Sequence, residues 1–271
     1  MPLLERLLDA TPRFAEPPTP FGLFHLGSLA VILLLCITAV IFRKRLPGGE
    51  KHLRRALLLF GVGLLLLEIG KQIAYSYTPE GDWVYNWDRF PFQFCSTPIY
   101  IALFAMCLRP CRVRQALLSF LATYSPVAGC AVLFYPAPAV FHEMVFLNIH
   151  TMLWHGAMLL FGLWLWLTEA VKPSMKTALT AAAVYLPLPF IALVLNELES
   201  ALGFAGDFLF NMFYISRDGI CDMPILWRIQ ENAPYPVFFM AYVLTLGLGG
   251  ALVTAGMGFA GWIRRKCGKA G

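Results

Sequence analysis

Arg89-Phe90-Pro91-Phe92-Gln93-Phe94-Cys95-Ser96-Thr97-Pro98 opens an apolar run that continues to Leu108 and stops on Arg109. Two prolines bracket a glutamine and a cysteine in an otherwise greasy segment. Pro91 fits the first turn of a helix, where its missing N–H costs nothing, whereas Pro98 farther in predicts a kink and a freed backbone carbonyl. Gln93 and Cys95 then share one helical turn. What they can do depends on whether that turn sits in water or in lipid.

Composition answers this. Of the 271 residues, 59% are apolar and 14% charged, and the mean hydropathy of +0.66 lies well beyond that of a soluble domain. At ~1.5 Å per helical residue, a run of about 20 apolar residues crosses a ~30 Å hydrocarbon core. Such runs recur on both sides of the opening stretch, at 21–42, 56–77, 115–135, 143–167, 177–195 and 235–262, with 91–108 as the third in order. The chain therefore reads as an all-α, polytopic membrane protein, a bundle of seven transmembrane helices. Pro187 and Pro189 are expected to distort the sixth span, and Pro136-Ala137-Pro138 turns the chain after the fourth.

The remaining segments are short. Residues 1–20 are an exposed, proline-rich tail with an amphipathic turn around Leu3 to Leu8, lacking the basic start and cleavage site of a signal peptide. Residues 196–234 are too polar and aromatic to span and are expected to form an outer loop with short helices. The helical domain covers 21–263, and 264–271 form a basic tail.

Charge sets the orientation. Arg43, Lys44, Arg45, Lys51, Arg54, Arg55, Arg109, Arg112, Arg114, Lys172, Lys176, Arg264, Arg265, Lys266 and Lys269 fall on one side, fifteen cations in all, against five on the other: Arg6, Arg13, Arg89, Arg217 and Arg228. Cytoplasmic loops carry the excess of Lys and Arg, so the N-terminus is expected outside and the C-terminus in the cytoplasm. The acidic and aromatic loop Thr78–Arg89, with Glu80, Asp82, Trp83, Tyr85, Trp87 and Asp88, suits the outer interface.

Cysteine usage argues against a disulfide framework, because Cys36, Cys95, Cys107 and Cys130 fall within spans and Cys111 and Cys267 face the reducing side. Only Cys221 reads as exposed on an outer loop. Cys107 and Cys111 have no second ligand pair to make a zinc site, and no cofactor motif is visible. Membrane lipids are the expected partners, and nucleic acid is not.

Polar residues inside spans carry the functional information, since ionisable groups in a bilayer are rare and face a cavity or one another. Cys95 lies ~6 Å below the start of its span, His150 ~10 Å and His155 ~18 Å below theirs, and Glu68 and Lys71 within ~9 to 14 Å of Tyr77. His25 is shallow in the first span, and Asn148 sits in the first half of the fifth. Each has a bland alternative: Cys95 as a small filler, Glu68 and Lys71 as a self-neutralising i, i+3 pair, His25 as an interfacial anchor. His150 and His155, five apart, do not share a helical face, so at least one is structural. Together, however, these residues have the depth pattern of a polar cavity. A thiol becomes a nucleophile at neutral pH when a base is within hydrogen-bond reach, and a histidine supplies one.

The combination of Phe24-His25-Leu26-Gly27, Phe90-Pro91-Phe92-Gln93-Phe94-Cys95 and His155-Gly156, with Asn196 and Pro234-Tyr235-Pro236 later on, resembles the YwaF-type bacterial integral membrane proteins over roughly His25 to Trp262. The resemblance implies seven helices. It also implies a distant relationship to animal lipid acyltransferases that use an intramembrane cysteine with a histidine, at positions matching Cys95 and His155. Phe92 and Phe94 replace the more usual leucines, and His150 is an additional histidine. The resulting expectation is an acyltransferase with Cys95, His155 or His150, and Gln93 as catalytic residues, and His25, Glu68, Lys71 and Asn148 as substrate-binding ones. Depth favours His150 as the base. The resemblance favours His155, as does its neighbour Gly156, a small residue that lets another helix approach. The alternative is a non-enzymatic seven-helix carrier or receptor in which Glu68, Lys71, Glu197 and the histidines hold a polar ligand.

Overall fold

The computed structural model describes residues 3–78, 81–136 and 140–267, which are helical apart from loops and two isolated bridges. Glu80, Ala137, Pro138 and Lys269 lie outside the described residues. In chain order the helices are α1 Leu3–Asp9, α2 Leu23–Ile41, α3 Glu50–Ser76, α4 Thr97–Cys107, α5 Arg112–Phe134, α6 Val145–Leu167, α7 Met175–Tyr185, α8 Pro187–Leu202, α9 Leu226–Asn232 and α10 Tyr235–Cys267. Among the described residues α2, α3, α5, α6, the α7–α8 pair and α10 are long and apolar enough to cross a membrane, and Phe94–Cys107 is a shorter apolar seventh. Connections gather alternately at a basic end and at an aromatic end, as a seven-helix bundle requires.

Local sequence sets the boundaries. No Asp, Glu, Lys or Arg interrupts α2, which gives way to the tight turn Arg43–Arg45. Gly49, at φ +87°, supplies the left-handed residue that re-aims the chain, and Glu50 then starts α3 with an acid at the positive helix end. The expected break in the sixth span is present: α7 stops at Tyr185 and Pro187 begins α8, which runs past the expected end at Leu195 to Leu202.

The central column is α5, with 72% of its apolar window buried against 17% for α2. It packs on α6 through small residues. Pro126 lies against Gly162, and a side chain at Gly129 would come within 2.7 Å of the His155 carbonyl. Pro126 inside α5 cannot bond the carbonyl of Ala122. The Trp166 indole N–H donates to that oxygen at 2.7 Å instead, so the interruption becomes a link between helices.

The opening stretch departs from expectation. Residues Phe90–Gln93 are extended rather than helical, Phe94–Ser96 is a tight turn, and the helix begins only at Thr97. Pro98 thus occupies the first turn of α4 and kinks nothing, while Pro91 belongs to the extended lead-in, where it biases Phe90 to an extended conformation. At eleven residues, α4 is ~16 Å long, about half the hydrocarbon thickness. Its free C-terminal carbonyls are taken by cations. Arg114 Nε donates to Ala105 O (3.0 Å), and Arg54 donates to Met106 O (3.3 Å) and Leu108 O (3.0 Å). Glu50 pairs with Arg114 at 2.8 Å and with Arg54 at 2.7 Å.

Residues 203–225 fold back into the aromatic end. Asn196 pins this loop by donating to Met212 O (3.0 Å) and accepting from Met212 N–H (2.8 Å), and the Phe213 ring is fully buried. Cys221 is likewise fully buried, not exposed, because the loop turns inward and Gln230 Oε1 accepts its backbone N–H at 2.7 Å.

Candidate functional site

Non-helical backbone at membrane depth must be enclosed by protein, and the lead-in to α4 is held from three directions. Gln93 donates from Nε2 to Asn211 O (2.9 Å) and accepts the Phe213 N–H at Oε1 (2.8 Å), stitching the stretch to the folded-back loop. Phe94 packs on Phe120, Tyr185 and Phe213. From α6, the Trp154 indole N–H donates to the Cys95 carbonyl at 3.1 Å. Cys95 is thereby fixed, half-buried, two residues before the start of α4. The N-terminal end of a helix carries partial positive charge and unpaired N–H groups, an environment suited to an anion.

Trp154 gathers the polar residues around this point. Its ring lies 5.2 Å from that of His150, and Lys71 Nζ is 6.0 Å from its centre. On α3, Lys71 pairs with Glu68 at 2.7 Å, and Gln72 Nε2 donates to Glu68 (2.7 Å) and to Arg89 O. Glu68 is 4% exposed. Its second oxygen and the Gln72 carbonyl have no partner.

The two histidines differ in what holds them. His155 Nδ1 lies 2.7 Å from Thr151 O. A carbonyl only accepts, so Nδ1 carries the proton and Nε2 presents a lone pair. That Nε2 is buried without a partner, as is Nε2 of His150. No hydrogen bond joins either Nε2 to the Cys95 thiol in this arrangement.

Other residues singled out from the sequence are occupied elsewhere. His25, fully buried, accepts the Phe21 N–H at Nδ1 (2.9 Å) and donates to Leu133 O (2.9 Å), leaving neither nitrogen open. Asn148 accepts from His142 N–H (3.0 Å) and donates to the carbonyls of His142 and Met144. Glu197 pairs with Arg217 on an exposed surface at 2.7 Å. Conversely, sequence reasoning missed Trp154 and Gln72 as members of the site, and with them the loop residues Phe213 and Tyr214. Those two adopt left-handed backbone, φ +60° and +58°, a strained conformation for aromatic residues that the surrounding packing must hold. Trp154 stands in a tryptophan-rich run, but tryptophans in a span read first as interfacial anchors.

The fold and its apolar helices define a polytopic helical membrane protein with a polar cluster buried between α3, α4 and α6. The TMEM164 family model matches residues 20–254, and the chain belongs to the TMEM164 family. No curated protein and no solved structure matches it.

Proposed function

We propose that the protein is an intramembrane acyltransferase that moves an acyl group between membrane lipids, with Cys95 as nucleophile and His155 as general base. The observation that carries this reading is the fixed tautomer of His155, whose Nε2 is an open base one residue along α6 from Trp154, the side chain that holds the Cys95 carbonyl before α4. The YwaF-type resemblance, with its link to cysteine-dependent acyltransferases, points the same way. In the first half-reaction the Cys95 proton passes to His155 Nε2, sulfur attacks the ester carbonyl, and the lipid alcohol leaves with that proton, giving a thioester. In the second, an acceptor hydroxyl loses its proton to Nε2 and attacks the thioester, and Cys95 recovers the proton. Backbone N–H groups at the start of α4, where Pro98 contributes none, would have to supply the oxyanion donors. Gln93, with its oxygen and one amide hydrogen committed to the loop, serves to position the stretch. His150 shapes the cluster beside Lys71. The same reading places the N-terminus outside, and the site in the outer half of the bilayer.

The test is transfer of a labelled acyl chain from phosphatidylcholine to a lysolipid in proteoliposomes. Cys95→Ala should abolish it, and Cys95→Ser should leave a trace. Loss of a general base costs ~10²–10⁴-fold, expected for His155→Ala and not for His150→Ala. A hydroxylamine-labile acyl adduct on Cys95 should accumulate when acceptor is withheld. Full activity in Cys95→Ala would refute the assignment.

One observation favours a second reading. The unpartnered oxygen of buried Glu68, beside Lys71 and Gln72, is what a carrier or receptor for a polar ligand would present. In that case function would depend on Glu68 and Lys71 and be indifferent to Cys95.

A further inference from the structure

A groove of about 480 Å³ runs between α3 and α6 on the face of the bundle that meets lipid, a volume within the ~300–1,000 Å³ usual for small-molecule sites. Glycines and apolar side chains alone line it. Aromatic rings flank it: Phe146 lies against Gly70, and Phe60 stacks on Phe161 at 4.1 Å. Between Phe60 and Gly70 it extends for ~15 Å along α3. Within it, a side chain at Gly63 would meet nothing within 4 Å. Leu153 and Ala157 of α6 form the opposite wall.

On α6 the groove and the polar cluster share a helical stripe. Phe146, His150, Leu153 and Ala157 recur at i, i+4, i+7 and i+11, a single stripe of α6. His150, 6% exposed and with Nε2 unpartnered, therefore stands on the groove's own stripe, and Lys71 follows directly on Gly70. Both walls belong to helices that cross the membrane. At that depth the surrounding medium is hydrocarbon, and an apolar slot beside buried polar groups matches a lipid with an apolar chain and a polar ester at its head.

We propose that this groove is the acyl-chain subsite, holding one chain of a membrane phospholipid with its ester directed toward Lys71, His150 and Cys95. The role assigned to the chain rests on the acyl-transfer reading, whereas its binding does not. The probe is a phosphatidylcholine with a diazirine at the middle of one acyl chain, irradiated with the full-length protein in phosphatidylcholine nanodiscs, the adducts being mapped by peptide mass spectrometry. Adducts should concentrate on Gly63–Gly70 and Leu153–Ala157 above the level on the lipid faces of α2 and α10. Gly63→Leu fills the groove and should lower them about tenfold, with a smaller decrease for Gly63→Ala. Gly256→Leu, at an exposed position of α10 with open space around it, should leave them unchanged. Cys95→Ala should keep the adducts while losing transfer. Adducts without transfer in the wild-type protein would uphold the subsite and remove the acyl-transfer reading. Labelling no denser than on α2 and α10, or an unaltered pattern in Gly63→Leu, would overturn the proposal.

Discussion

Two kinds of buried polar side chain share these helices, and only their partners distinguish them. His25 and Asn148 have every polar atom engaged with backbone, whereas Nε2 of His150, Nε2 of His155 and one oxygen of Glu68 are buried without a partner. His25→Ala strands the Phe21 N–H and the Leu133 carbonyl, so it should cost roughly 1–3 kcal/mol of stability. Thermal unfolding in detergent should show that loss, with the activity of the surviving folded protein unchanged. The sequence exposed all of these residues by the same mark, a polar group in an apolar run. It could not separate satisfied groups from open ones, because the partners of His25 are a carbonyl on another helix and an N–H four residues back. Trp154 escaped notice for the opposite reason: its apolar body is ordinary in a span, and only the contact with the Cys95 carbonyl gives it a role.

Short α4 shows how an element can be nearly right in position and different in kind. Its apolar run was legible, but the two prolines exchange roles: Pro98 starts the helix and Pro91 holds the chain extended before it. The decision lies in tertiary contacts from Gln93 to the folded-back loop and from Arg114 and Arg54 to the other end, 118 and 120 residues away in the first case. Arg114→Ala removes a charged donor from Ala105 O and the partner of Glu50, an expected loss of about 1.5–3 kcal/mol, with α4 loosening first. Hydrogen exchange at Ala105–Leu108 should rise ahead of that in α5. Within α3, Glu68→Lys or Lys71→Glu alone leaves like charges in a buried site, where breaking a pair costs ~3–5 kcal/mol. The double exchange should recover part of the folded yield, measured by size-exclusion chromatography. If each single variant behaves as wild type, the pair has no part in the site.

Seven apolar runs and the proline break at Pro187 were readable because a bilayer imposes length and composition on every crossing. Helix packing was less so: nothing in the pattern announced that α5 would be the central column, or that Pro126 would hand the Ala122 carbonyl to Trp166. The 203–225 loop was recognised as a loop, yet its inward fold depends on Asn196, Asn211 and Gln230 meeting backbone far from their own positions. Charge asymmetry makes a direct prediction. Reporter fusions after Gly48, Cys111 and Ser174 should report the cytoplasm, and those after Asp82 and Asp218 the outside; two reversed results would overturn the seven-span orientation. The groove between α3 and α6 faces sideways, into the plane of the membrane. A substrate that enters there arrives by two-dimensional diffusion, and its effective concentration is a mole fraction of the bilayer. Diluting proteoliposomes with buffer should then leave turnover unchanged, while diluting the same donor with an inert lipid should slow it in proportion.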